Sequence, residues 1–236
     1  MMPGGFDWSI VITWAPEFLQ GAIATLWISF FSLILALAIG LIVGLMRLSH
    51  SKIIASIAKF YVDLIRGTPV LIQIFVIYFG LPFFGMRLPA ELAGVLSLGL
   101  NSGAYIAEMI RGALEAVEKG QMEAARSLGM SNAQAMRRII IPQTFRVIIP
   151  PITGEYNSLV KGSSLLSVIS VGELTRVGQR IMGLTFRPVE AWGPTALIYF
   201  LINFIITRIT NDLERRLSVG QNNHEVMEKR NEQSKG

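Results

Sequence analysis

The sequence predicts an all-α integral membrane protein with about five transmembrane helices. Of its 236 residues, 52% are hydrophobic and 16% are charged, whereas soluble domains usually carry about 25% charged residues. The mean hydropathy is +0.51, and residues 18–46 form a run of 29 without a charge. A chain with so little polar surface does not fit a soluble enzyme, a disordered protein or a fibrous one.

Apolar stretches of spanning length occur at five places, which are 18–46, 67–86, 92–110, 147–160 and 191–207. The first would extend about 44 Å as a helix, more than a hydrocarbon core of roughly 30 Å. The second lies between two arginines, and its helix is expected to begin earlier, near residue 56. The fourth is the least regular, because it contains Pro150, Pro151 and Gly154.

Positive charges are unevenly distributed among the loops. Sixteen of the 21 Lys and Arg residues fall in the loop after the first stretch, the loop after the third stretch and the C-terminal tail. Residues 1–17 contain none. The positive-inside rule therefore predicts that the N-terminus lies outside and the C-terminus in the cytoplasm. The loop at 161–187 has four positive residues on the outer side, so part of it is expected to be re-entrant or amphipathic.

Three parts are expected along the chain: an extracytoplasmic segment at 1–17, a transmembrane domain at 18–217 and a cytoplasmic tail at 218–236. The N-terminal segment has no basic region, and the apolar run after it is too long for a cleavable signal. The tail is polar and lacks apolar periodicity, which is typical of disorder.

Two pairs of glycines spaced four residues apart lie in the first and third stretches: Gly40 with Gly44, and Gly99 with Gly103. Small residues at this spacing let two helices approach closely. We expect both pairs to pack inside the helix bundle; a seam between two chains is the alternative.

The loop at 115–142 predicts two short helices that meet at a glycine. Its first half is rich in strong helix formers, and Gly129 is a natural helix stop. Ser131 then offers an N-cap, and Gln134 three residues later completes a capping box. The second helix is expected to cover 132–141 and to end before Pro142. The same string resembles a helix-turn-helix DNA reader, but it is short and tethered at both ends to spans, so a compact knob at the membrane surface is the preferred interpretation.

This loop resembles the EAA motif of permeases of ABC importers, in which EAA is followed by a glycine and then by I-x-L-P. Ile141 stands where the pattern prefers Leu, which is a conservative departure. The segments 66–69, 101–105 and 155–161 also resemble the polar amino acid group of these permeases, the histidine, glutamine and arginine type. The matching residues of the EAA motif are Glu123, Ala124, Ala125, Gly129, Ile139, Ile141 and Pro142.

The resemblance implies a type I ABC importer fold in a bacterial inner membrane, over about residues 18–217. It implies that the knob is a coupling helix that docks on a separate ATPase subunit. Further implied partners are a second permease chain, identical or a sister, an extracytoplasmic amino acid-binding protein, an amino acid substrate and membrane lipid, without nucleic acid. The residues implied in ATPase coupling are Glu123, Ala124, Ala125, Gly129 and Pro142.

The chain contains no G-x-x-x-x-G-K-[ST] string for cradling ATP phosphates. ATP and Mg²⁺ are therefore expected on the partner ATPase, and this chain is expected to be neither an enzyme nor the holder of a cofactor. It has no cysteine, and His50 and His224 lie far apart in sequence, so no metal site is predicted. An ion-coupled secondary transporter is the alternative function, although it would usually show an inverted internal repeat.

Polar side chains inside the spans are the candidates for substrate binding, because they are costly at membrane depth. Two sets of three each share one helix face at i, i+4, i+7 spacing: Asn101, Tyr105 and Glu108 in the third stretch, and Asn157, Lys161 and Ser164 in and after the fourth. Glu155 is expected to accept hydrogen bonds from a substrate ammonium, and Asn101 with the two serine hydroxyls to donate to its carboxylate. The alternatives are hydrogen bonds between helices or a place at the membrane interface; Arg66 is expected to be an anchor. The candidates are Asn101, Tyr105, Glu108, Glu155, Asn157, Lys161, Ser163 and Ser164.

Overall fold

A computed structural model describes residues 5–116 and 119–233, and every regular element in this part of the chain is helical. Short 3-10 and π segments join several of the α-helices. The α-helices are α1 (Trp8–Thr13), α2 (Ala15–Arg47), α3 (Lys52–Arg66), α4 (Val70–Phe75), α5 (Ala90–Ala116), α6 (Lys119–Ser127), α7 (Asn132–Ala135), α8 (Ile141–Gly162), α9 (Leu174–Thr185) and α10 (Pro188–Gln233).

The centre of the bundle is a close-packed pair formed by α2 and α5. A Cβ added to Gly40 would lie 2.5 Å from Ile106 Cγ2, and one added to Gly103 would lie 2.8 Å from Ile39 Cγ2. Both distances are far inside van der Waals contact, so no larger side chain fits at either glycine without movement. The predicted packing of the glycine pairs inside the bundle is confirmed.

The second predicted span is broken rather than continuous. Helix α3 and the helical segment Val70–Phe84 meet at an angle of 105°. Gly67 ends α3, and Pro69 disfavours a helical conformation at Thr68 just before it. The expectation of one helix from near residue 56 through the 67–86 stretch is therefore wrong.

Hydropathy identifies part of the spanning structure. By length and composition, two helices of the described residues qualify as membrane spans, α2 and Pro188–Asp212, and the bent pair is a third if it is counted as one span. Helices α5 and α8 have 27 and 22 residues, which correspond to about 40 and 33 Å. Both are long enough to cross a membrane, but their polar side chains make them less apolar than the helices that qualify by composition. Helical structure is thus present at each of the five predicted positions.

The loop between α5 and α8 has the expected caps. Gly129 has a φ of +82°, which favours glycine and turns the chain after α6. Ser131 and Gln134 form both bonds of the capping box at the start of α7. The helix does not end before Pro142, however: a π segment, Met136–Ile140, leads into α8. Pro142 is tolerated because it lies in the first turn of α8, where its missing N–H costs little.

The region after α8 folds back as helical structure. A 3-10 segment, Ser163–Ile169, is followed by the amphipathic helix α9, which begins at the N-cap residue Glu173. The side chain of Glu173 is fully buried, and Tyr199 on α10 donates to it over 2.8 Å. This agrees with the expectation that part of 161–187 is amphipathic rather than a free loop.

At the N-terminal end, α1 is tied to the start of α10. The backbone N–H of Asp7 donates to Glu190 Oε1 over 3.1 Å, and Arg187 forms an ion pair with the same oxygen. The Asp7 carboxylate caps α1, and hydrogen bonds from the hydroxyl and the N–H of Ser9 lower the pKa of this carboxyl. The 1–17 segment is thus partly helical.

Helix α10 continues as far as Gln233, whereas the sequence predicts disorder from residue 218. A segment that extends an existing helix does not bear the free-energy cost of helix nucleation. A polar tail can therefore remain helical when it continues α10. Residues 234–236 of the predicted tail lie outside the described residues.

Candidate functional site

One face of α5 presents Asn101 and Tyr105 beside the break in the second span. Asn101 Nδ2 donates to Gln73 Oε1 on α4 over 3.0 Å. The guanidinium of Arg66, at the end of α3, lies 5.2 Å from the centre of the Tyr105 ring. This distance is within the range of a cation–π interaction. The predicted i, i+4 face therefore exists and adjoins a cationic side chain.

Glu108, the third residue on this face, is held in ion pairs. Its carboxylate lies 3.1 Å from Arg47 Nε on α2 and 2.9 Å from Arg111 Nη2 on α5. The pair with Arg111 lies within α5, whereas the pair with Arg47 joins α5 to the end of α2. This is the inter-helix bonding that the sequence leaves open as the alternative to substrate binding.

Glu155 lies on the side of α8 that faces α5, where the Ser102 hydroxyl approaches its carboxylate. Glu155 is half-buried and Ser102 is 3% exposed. Among the described salt bridges none involves Glu155. A partly buried carboxylate between two spanning helices is able to accept hydrogen bonds from an ammonium group.

The opposite side of α8 lines a cavity against α10. Residues 155 and 157 are about 200° apart around an α-helix, so Asn157 and Glu155 point in different directions. The cavity has a volume of about 320 Å³, and its lining residues are Asn157, Lys161, Tyr199, Phe200, Asn203 and Thr207.

Two of the residues that line this cavity, Asn157 and Asn203, are amides. Asn157 Nδ2 donates to the Thr207 hydroxyl over 3.2 Å, and Asn203 Nδ2 donates to the Tyr199 carbonyl over 2.8 Å. Their Oδ1 atoms are buried without a hydrogen-bond partner in the described part of the chain. Both oxygens are enclosed by protein atoms, whereas Lys161 at the same cavity is exposed.

Ser163 and Ser164 do not behave as predicted. The Ser163 hydroxyl donates to the Val160 carbonyl over 2.8 Å, and the Ser164 hydroxyl donates to the Lys161 carbonyl over 2.7 Å. A hydroxyl has a single hydrogen to donate, so neither is free to bind a substrate carboxylate in this conformation. The α8 C-terminus uses both groups to satisfy its own carbonyls.

The predicted substrate residues are thus divided between two faces of α8 instead of forming one cluster. Sequence reasoning missed Gln73, Ser102 and Asn203 as members of these sites. Gln73 and Asn203 carried a detectable signal, since each is an isolated amide within an uncharged apolar stretch. Ser102 carried none, because its role depends on which side of α5 faces α8.

The residues of the EAA motif are mostly accessible on the loop between α5 and α8. Glu123, Ala124, Gly129 and Pro142 are exposed. Ala125, in contrast, is 2% exposed, so its side chain packs inside this chain; its part in ATPase coupling stays a prediction. Leu128 was missed, although it is 83% exposed beside the Gly129 turn.

Metal binding has no support in the described residues, which contain no group of three or more His, Cys, Asp or Glu placed around a common point. His50 belongs to these residues, whereas the side chain of His224 does not.

Residues 36–219 match the family described as the binding-protein-dependent transport system inner membrane component. The chain is 39% identical over 216 residues to the glutamine transport system permease protein GlnP of Escherichia coli (strain K12), covering 91% of this chain and 99% of that protein. It is 40% identical over 211 residues to the probable amino-acid ABC transporter permease protein YckA of Bacillus subtilis (strain 168), covering 89% and 93%.

A solved amino acid ABC transporter, crystallised with histidines, has the same fold. Its matching chain is 41% identical, with a TM-score of 0.86 over 90% of this chain and 100% of that chain. The match spans the glycine-packed core, the broken second span and the EAA loop together. The chain therefore belongs to the family of inner membrane components of binding-protein-dependent ABC transport systems.

Proposed function

We propose that this chain is the translocation subunit of an ATP-driven importer of polar amino acids. The observation that carries the proposal is α8, a helix long enough to span that has a half-buried carboxylate on one side and a cavity lined by Asn157 and Lys161 on the other. The similar proteins support the substrate class, since one is named for glutamine and another was crystallised with histidines. The family is one of ABC transport systems, which argues against an ion-coupled secondary transporter.

Glu155 accepts hydrogen bonds from the substrate ammonium, and Asn101 and Tyr105 lie on α5, the helix that brings Ser102 beside Glu155. This follows from chemistry, because a charged donor gains most from a carboxylate that is not already ion-paired. Asn157 and Lys161 lie on the other side of α8, so one bound amino acid cannot touch them and Glu155 at once; they form a separate contact, at which Lys161 attracts the carboxylate of an amino acid. A cavity of about 320 Å³ falls within the size range of small-molecule sites.

The EAA loop docks on the ATPase subunit. Glu123 offers a charge to a basic residue of the partner, Leu128 offers an exposed apolar side chain, and Gly129 leaves open space around the turn. ATP and Mg²⁺ bind on the partner, and its closure moves the loop. The chain then alternates between an outward-open and an inward-open state. This requires that ATP binding to the partner favours one of the two states.

The N-terminus lies outside, and the EAA loop and the C-terminus lie in the cytoplasm, as the distribution of Lys and Arg indicates. A second permease chain, identical or a sister, completes the membrane part. A binding protein delivers the amino acid on the outer side, as the name of the family implies.

Co-purification tests this proposal. The tagged chain is isolated from its native membrane in mild detergent as wild type, Glu123→Arg, Gly129→Asp and a control, Glu91→Arg. Glu91 is an exposed acidic residue in the first turn of α5, far from the loop in sequence. We expect a P-loop ATPase to accompany wild type and the control and to be lost from the two loop variants.

Absence of an ATPase from the wild-type preparation would refute the ABC importer function for this chain. Retention of the ATPase in both loop variants would leave the function standing but refute the docking surface. Loss from the Glu91→Arg control as well would show that any charge reversal disrupts the complex, and would equally refute the specific role of the loop.

A further inference from the structure

The side chain of Gln73 closes the break in the second span. It is 9% exposed, although it is an amide on an otherwise apolar helix. Its Nε2 donates to the carbonyls of Ile65 and Thr68 over 2.7 and 3.1 Å, and to the Thr68 hydroxyl over 2.9 Å. Carbonyls freed by a broken helix need such partners at membrane depth.

The same amide also contacts a predicted substrate residue. Gln73 Oε1 accepts a hydrogen bond from Asn101 Nδ2 over 3.0 Å. Because both N–H groups of Gln73 are directed at the break, its oxygen is the group that remains for Asn101. An amide that donates to Gln73 is fixed in one orientation, with its other N–H and its Oδ1 directed elsewhere.

Two further contacts hold the break against the same part of α5. The Tyr61 hydroxyl on α3 donates to the Leu100 carbonyl over 2.6 Å, one residue before Asn101. Arg66, the last residue of α3, lies over the Tyr105 ring, one turn after Asn101. These contacts hold the part of α5 around Asn101 beside the break, where the Gln73 amide reaches it.

We propose that Gln73 is a positioning residue for amino acid binding, which orients Asn101 through the Oε1···Nδ2 hydrogen bond. The inference rests on the proposed function, in which Asn101 contacts the substrate. Gln73 itself needs no substrate contact, because its side chain is buried and its amide is already bonded to the break and to Asn101. Without Gln73 the Asn101 amide is free to rotate. Only a fraction of the molecules then hold this amide in the orientation that binds the substrate.

The test is ATP-dependent uptake into proteoliposomes by the complex purified with its native partner subunits, with radiolabelled L-glutamine and L-histidine as probes. The variants are Gln73→Met, Asn101→Ala and the double variant. Gln73→Met keeps the length of the side chain and removes its hydrogen bonds. We expect it to raise KM about fivefold, the value of one neutral hydrogen bond, with little change in the maximal rate.

The double variant separates positioning from a structural role. If Gln73 acts through Asn101, the KM of the double variant equals that of Asn101→Ala alone. If Gln73 affects uptake independently of Asn101, the two effects multiply, and that result would overturn the inference. An unchanged KM in Gln73→Met would overturn it as well.

Two further variants keep the test decisive if Gln73→Met does not fold. Gln73→Glu keeps the length of the side chain and, in either protonation state, an acceptor oxygen for Asn101, so its KM should stay within about twofold of wild type. Thr68→Val loosens the break without touching Asn101, so it should lower thermal stability and leave KM unchanged. A KM raised equally by Thr68→Val and Gln73→Glu would mean that any disturbance of the break weakens uptake, which contradicts the inference.

Failure of this inference is distinguishable from failure of the proposed function. Wild-type complex without ATP-dependent uptake of either amino acid would count against the proposed function. Uptake that persists with an unchanged KM in both Asn101→Ala and Gln73→Met would leave an importer in which neither residue matters for binding.

Discussion

The interface between α2 and α5 and the surroundings of α8 represent two kinds of helix packing in one bundle. Along α2 and α5, glycines bring the backbones together, and Ser29 and Ser32 are fully buried. Around α8 the prolines Pro150 and Pro151 face outward, Glu155 is half-buried and amides line a cavity. The first interface excludes water by close packing, whereas the second has the space and the polar groups to admit it.

This difference indicates how a small permease divides its tasks. Close packing resists movement because interiors have few voids, so α2 and α5 form the part that stays constant. A helix with polar groups on opposite sides gains less from fixed packing and is better suited to contact a polar substrate. The EAA loop leads directly into α8 through the π segment Met136–Ile140, so motion of the loop reaches the substrate-binding helix first.

The largest expected effect comes from placing a side chain in the close-packed interface. Gly40→Leu would drive its Cβ into Ile106, since even an added Cβ lies 2.5 Å from Cγ2. Overpacking of this kind costs about 1–3 kcal/mol or more. We expect a lower melting temperature in detergent, measured by fluorescence-detected size-exclusion chromatography after heating.

Gly154→Ala on α8 is the matched control, because nothing lies within 4 Å of the position where its Cβ would be. Replacing a helical glycine there should stabilise the chain by up to about 1 kcal/mol. Equal destabilisation by both variants would show that α8 is packed as tightly as α2 and α5. That result would contradict the difference in packing between the α2–α5 interface and the surroundings of α8.

An intermediate effect is expected at the carboxylate of α8. Glu155→Gln removes a charge-assisted hydrogen bond to the substrate, a loss of about 1.5–3 kcal/mol, which corresponds to roughly a tenfold or larger rise in the KM of uptake. Co-purification of the ATPase should be unaffected. The control is Glu91→Gln, an exposed glutamate in the first turn of α5. Unchanged uptake kinetics in Glu155→Gln would remove Glu155 from the substrate path.

The smallest effect concerns the start of the helical run that leads into α8. Ser131→Ala removes the N-cap of α7 and one bond of the capping box, at a cost of about 1 kcal/mol. Hydrogen exchange should become faster in Asn132–Ala135 and stay unchanged in α2. Ser127→Ala is the control, since the Ser127 hydroxyl bonds back within α6. Equal exchange in both variants would show that the cap does not order the run.

Much of this arrangement was predictable from local sequence. The glycine pairs predicted close packing because a missing side chain leaves room whatever the partner is. Gly129, Ser131 and Gln134 predicted the turn and the cap because those bonds lie within a few residues of one another. The EAA motif predicted the family because its residues lie close together in the sequence, so its spacing is visible without the structure.

The rest depended on contacts between distant elements. Gln73 satisfies the carbonyls at the break and in turn accepts a hydrogen bond from Asn101, which is 28 residues away in sequence. The opposite orientations of Glu155 and Asn157 follow from helical geometry, but which neighbour each one faces depends on where α5 and α10 pack. Ser163 and Ser164 were misassigned because their hydroxyls bond to their own helix, which competes with any ligand.

The central claim is that substrate meets α8 in water while the α2–α5 interface stays dry. The chain has no cysteine, so Asn157→Cys and Ser32→Cys each provide a single thiol for a charged, water-soluble methanethiosulfonate reagent. Both are tested in the purified complex with and without excess L-glutamine or L-histidine. The account predicts that the thiol at 157 reacts and is protected by one of these amino acids, and that the thiol at 32 stays unreactive. Equal reactivity at the two positions, or reaction at 157 that neither amino acid slows, would contradict it.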